Sequence, residues 1–138
     1  MNITTELADG GRYTVTIEAF DKAGNVTEVV PIEDVFFALL PPVLSLDSPV
    51  TGSRINLPII TYSTNEQMGK GMIVFTRVSG AEDPKSPHQV VLTGDQLNQG
   101  SHYDESFVNQ LTLKDGSVYT ITFSGQDMAG NIATDVSI

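Results

Sequence analysis

The chain has 138 residues, no cysteine and no tryptophan, and it sets seven Lys and Arg against seventeen Asp and Glu for a formal charge of −10. That length suits one domain of ordinary size with an appendage. The charge argues against nucleic acid and anionic membranes as partners, and the missing thiols rule out a disulfide framework and a thiolate zinc site.

Residues 7–32 recur as residues 113–138, an offset of 106 (113 − 7) without a gap. Each copy opens on an Asp-Gly turn, Asp9-Gly10 and Asp115-Gly116, and passes into a strictly alternating segment. In the second copy Tyr119, Ile121 and Phe123 take one face and Thr120, Thr122 and Ser124 the other; in the first, Tyr13, Val15 and Ile17 oppose Thr14, Thr16 and Glu18. Period two with β-branched and aromatic residues predicts a half-buried strand. The pattern Asp-x-Ala-Gly-Asn follows at 21–25 and 127–131. Gly and Asn tolerate positive φ there, and Asp can accept backbone N–H groups ahead of it. Each copy is therefore expected to be a β-hairpin. A repeat of this period means one domain per period, so residues 1–38 read as the closing hairpin and linker of one module and 39–138 as a complete module.

Between the copies, 33–42 reads as a linker. Strands are expected at 43–46, 55–62, 72–78, 89–93 and 107–113, with Pro58 marking a bulge or an edge. A polar loop at 65–71, a proline-containing loop at 81–88 and a short helical turn at 94–98 separate them. With the closing hairpin this gives about seven strands, an all-β sandwich with Phe75 as its central aromatic. The longest apolar run, 35–44, contains Pro41 and Pro42 and is roughly half of a bilayer span. Residues 1–6 carry neither the basic nor the apolar region of an export signal, which on this reading lies elsewhere.

The run Leu-x-Asp-Gly-x-x-Tyr-Thr-x-Thr-x-x-x-x-Asp-x-Ala-Gly-Asn, present in both copies, resembles the last two strands of the bacterial immunoglobulin-like modules repeated along large cell-surface and secreted adhesins. The resemblance covers 7–32 and 113–138 closely and 41–112 by strand count and order. It implies an immunoglobulin-like β-sandwich, with Tyr13 and Tyr119 as tyrosine corners bonded to the upstream backbone. It also implies an extracellular or cell-surface location, with neighbouring repeats of the same polypeptide as partners and any host or matrix ligand held by other domains. Related modules use calcium at module junctions, which enlists Asp127, Asn131, Glu66 and Asp34 as oxygen donors. The Asp-Thr-Thr that usually precedes the diproline in that family is replaced here by Ala38-Leu39-Leu40, which removes one expected ligand. Asx-turn chemistry alone also accounts for Asp127 and Asn131.

No catalytic arrangement stands out. His88 and His102 read as solvated loop residues, and no phosphate loop or nucleophile elbow occurs. The expected function is a non-catalytic spacer or rod segment of a surface or secreted adhesin. The alternative is a carbohydrate- or protein-binding accessory module of a secreted polysaccharide-degrading enzyme, in which Tyr62 and Tyr103 are the aromatics left for a sugar platform.

Overall fold

The computed structural model describes residues 6–27 and 30–138. They belong to two compact units, Met1–Leu40 and Pro41–Ile138, so the boundary expected after residue 38 falls two residues later. Residues 1–5, and 28–29 inside the first hairpin, lie outside the described set. The fold is all-β, as the alternation predicts.

The first unit holds β1 (Gly11–Val15), β2 (Ala19–Phe20), β3 (Val26–Thr27) and β4 (Ile32–Phe37). β1 pairs antiparallel with β4, and β2 with β3. The segment read as a linker is thus a strand over Ile32–Phe37. It is kinked between its Ile32 and Val35 pairings, where Asp34 takes a φ of 57° and bonds to Arg12 Nη1 at 2.6 Å. Two-stranded ribbons bury little, and Val15, Ile17 and Phe20 are all exposed.

The second unit holds seven strands: β5 (Leu44–Ser48), β6 (Ile59–Thr64), β7 (Met68–Gly80), β8 (His88–Val91), β9 (Gly100–Ser106), β10 (Ser117–Asp127) and β11 (Val136–Ser137). They form two sheets, β5-β6-β9 and β11-β10-β7-β8. Their facing side chains make one core, with Ile60 and Tyr62 of β6 opposite Ile73 and Phe75 of β7 and Ile121 and Phe123 of β10. Phe75 is fully buried. The Tyr62 and Phe123 rings meet edge to face at 5.0 Å, a favoured aromatic geometry. Burying each such side chain contributes about 1.5–3 kcal/mol, which is how the second copy of the repeat becomes the centre of a core.

Three local expectations change. No strand covers 107–113; Phe107 opens a tight turn whose Gln110 and Leu111 N–H groups both donate to its carbonyl. Phe107 and Leu111 are buried all the same, because a spacing of four returns side chains to one side of a turn as well as of a strand. The missing strand is β9, whose sequence GSHYDES offers no apolar alternation. The polar loop at 65–71 shrinks because β7 already begins at Met68. Gly69 is there for close approach, since a Cβ at that position would stand 2.6 Å from the Asp127 carbonyl oxygen. The short helical turn forms at Gly94–Leu97, where Gln96 Oε1 accepts the Thr93 N–H at 3.1 Å and the Gln96 N–H donates to the Thr93 carbonyl at 3.2 Å.

Candidate functional site

The two Asp-x-Ala-Gly-Asn turns are the same structure made twice. In the second, Asp127 Oδ1 accepts the Ala129 and Asn131 N–H groups, both at 2.8 Å, and Oδ2 accepts Asn131 Nδ2 at 2.7 Å. In the first, Asp21 Oδ1 accepts the Ala23 and Asn25 N–H groups at 2.8 and 2.9 Å, and Oδ2 accepts Asn25 Nδ2 at 2.6 Å. The Asp N–H donates to the Asn carbonyl in both. Only the surroundings differ: Asp127 is 1% exposed, while Asp21 stands in the open. Burial would raise the Asp127 carboxyl, but the Asn131 amide and the backbone N–H groups of Asn131, Ala129 and Gly130 outweigh it and hold the group below its ordinary range.

Asp127 pairs with Met68 in the sheet register, which puts the 65–67 turn at the same end of the sandwich as the hairpin. The start of the unit is tied there too, because Asn65 Oδ1 accepts the Val43 N–H at 2.7 Å and the Asn65 N–H donates to the Val43 carbonyl. Thr64 Oγ1 donates to the Glu66 carbonyl at 3.0 Å. Asp34 lies in the other unit, in an exposed ion pair with Arg12. The structure therefore brings Glu66, Asp127 and Asn131 to one end of the sandwich.

Calcium needs six to eight oxygens with free lone pairs. Asp127 offers little toward that number, since Oδ1 already receives two N–H groups and Oδ2 a third, which leaves one lone pair on Oδ2. Among the described residues no three His, Cys, Asp or Glu cluster as metal ligands. Because three of the Asp127 acceptor sites are taken up by its own turn, millimolar calcium is expected to leave the melting temperature where EDTA or magnesium leaves it. A calcium-specific rise, absent in Asp127→Ala, would restore the metal reading, since a ligand selective for the folded state stabilises it by mass action.

The second structured site surrounds Tyr119. Its hydroxyl accepts the Lys114 N–H at 2.9 Å, five residues upstream, as Tyr13 accepts the Ala8 N–H at 2.6 Å. Tyr119 then does something its twin does not: it donates to Asp83 Oδ2 at 2.5 Å, and His88 Nε2 meets the same oxygen at 2.6 Å. The His88 and Asp83 side chains are 8% and 5% exposed. This corrects the reading of His88 as a solvated loop residue; it begins β8 and clasps the 81–87 loop to β10. The sequence carried no signal for it, because four residues, two of them prolines, lie between the partners. His102 instead stacks on Tyr62 at 4.7 Å.

Hydrogen bonds from Tyr119 and then His88 pull the Asp83 carboxyl down to about 2, against burial, from an ordinary 3.8. A folded-state value below the unfolded one means the unfolded chain takes up the proton first as pH falls. Asp83 thus contributes stability that is complete above pH 4 to 5 or so and is lost as pH drops towards about 2, and Asp127, also lowered, contributes in the same direction. Tyr119→Phe should lower the neutral-pH melting temperature by the equivalent of about 1–3 kcal/mol and make the acid decline shallower. An unchanged acid profile in that variant would contradict the assignment.

A shallow cleft of about 570 Å³ crosses the β10-β7-β8 sheet, lined chiefly by Met72, Val91, Gly125 and Ile132, with Lys70 its one charged residue. It contains no acid, base or nucleophile pair. Comparison with protein-family models, with curated proteins and with solved structures returns no match for this chain.

Proposed function

We propose that the chain is a non-catalytic, immunoglobulin-like repeat segment that acts as a mechanical spacer in a surface or secreted rod-like protein. One observation carries this reading: the hairpin at 7–32 and the hairpin at 113–138 share sequence, register and turn bonding. The Val15–Ile32 pairing of the first stands at the positions of the mutual Ile121–Ile138 backbone bonds of the second. Such repetition suits a polypeptide built by copying modules end to end. The strand order β5-β6-β9 facing β11-β10-β7-β8, with a corner tyrosine near the start of β10, supports the immunoglobulin-like reading of this sandwich. On this reading cohesion comes from core packing and turn hydrogen bonds.

The rival, a carbohydrate-binding module, gets limited support. Tyr62 is fully buried, so Tyr103, 75% exposed, stands without its expected companion. Affinity electrophoresis through gels of soluble polysaccharides separates the two. Unretarded migration is expected; retardation that Tyr103→Ala abolishes would replace the spacer with a glycan binder.

A further inference from the structure

The cleft on the β10-β7-β8 sheet has no part in the spacer reading, and the register shows how it is built. Met72 stands between Ser124 of β10 and Val91 of β8; two residues back on the same face, Lys70 stands opposite Gln126, which bridges to Ile132. Between these rows Gly71 lies opposite Gly125, so the floor is glycine backbone. The volume of about 570 Å³ falls in the range of ligand pockets. It gives room for roughly twenty non-hydrogen atoms at the volume a water molecule takes in the liquid. Val91 and Ile132 are 63% and 74% exposed, and apolar surface gathered at a depression marks a binding face. Lys70 is the one charged residue of the lining. It belongs to neither ion pair found among the described residues, although acids outnumber bases seventeen to seven in the chain.

We propose that this cleft binds a small amphiphile with a single negative head group, a free long-chain carboxylate, its tail along Met72, Val91 and Ile132 and its head on the Lys70 ammonium. A lysine suits such a ligand, because its methylene stem can cover the tail while its charge meets the carboxylate. Gln126, opposite Lys70, can supply an amide N–H to the second carboxylate oxygen. A sugar is a poorer occupant, since no aromatic ring lines the cleft for it to stack on. A second copy or an anionic membrane sets many negative charges against a chain of −10. A monoanion brings one, and places it where a cation stands without an acid partner.

The test is titration of the full chain with sodium dodecanoate, kept below micelle formation and followed by amide NMR shifts. Dodecanol and dodecyltrimethylammonium serve as neutral and cationic controls with the same tail. Saturable shifts centred on 69–72, 91–92, 124–126 and 132 are expected, with dodecanoate binding more tightly than either control. Lys70→Gln should weaken dodecanoate about fivefold and leave dodecanol as it was. Val91→Asp, at an exposed position, should weaken both without moving the melting temperature. No saturable shift, or an affinity for dodecanoate that Lys70→Gln leaves unchanged, would overturn the proposal. So would a cationic control that binds as tightly, since net charge would then govern uptake, or attachment to phosphatidylcholine vesicles without uptake of dodecanoate, which would make this face a membrane contact.

Discussion

Phe123→Ala is expected to lower the stability of the Pro41–Ile138 unit by about 3–5 kcal/mol, and its melting temperature on the order of 20 °C. The ring is fully buried and meets Tyr62 edge to face at 5.0 Å, so truncation removes both apolar burial and a shaped contact and leaves a cavity. A domain of this size has only about 5–15 kcal/mol in total. The matched change in the other copy, Ile17→Ala, alters a side chain that is 61% exposed and should leave the main transition in place. Thermal melts of both variants decide the matter; equal effects would mean that the two copies are buried alike.

The same comparison explains why the first hairpin is a poor substitute for the second inside this core. It offers Val15 where Ile121 stands and Ile17 where Phe123 stands, losing volume at both. It also brings Ala19 to the position of Gly125, where a Cβ would lie 3.0 Å from Met68 Sδ and from the Lys70 carbonyl. Lost volume and crowding each cost on the order of 1 kcal/mol or more, so the second hairpin is the one matched to this core.

Asp127→Ala is the second large effect, about 2–4 kcal/mol. It removes a buried charged acceptor and strands three donors, and hydrogen bonds to charged groups are worth more than neutral ones. Asp21→Ala deletes the same three bonds at an exposed turn and should not move the sandwich transition. Denaturant unfolding of the pair reads this directly. A mild Asp127→Ala would mean that water or neighbouring groups replace the carboxylate without loss.

Much of this was legible in the sequence. The alternation of Tyr119, Ile121 and Phe123, and the Asp127-to-Asn131 spacing, encode structure within a few residues of themselves, so period and turn chemistry suffice to read them. β9 was not legible, because an edge strand such as GSHYDES is held by its backbone pairing with β6 and needs no apolar face. The start of β7 was hidden by Gly69, which looks like a loop residue and is in fact required by the Asp127 carbonyl packed against it. The Asp83–His88–Tyr119 clasp was equally hidden, since 36 residues separate Asp83 from Tyr119 and only the tertiary fold brings them together.

The most direct test of the spacer account is to stretch the chain between its ends, in EDTA and again in calcium. The account predicts one discrete, reversible unfolding event for the Pro41–Ile138 unit, releasing roughly 300 Å, about the extended length of such a unit less its folded span, at the same force in both solutions. Featureless extension at low force, or a resisting force that appears only with calcium, would contradict it.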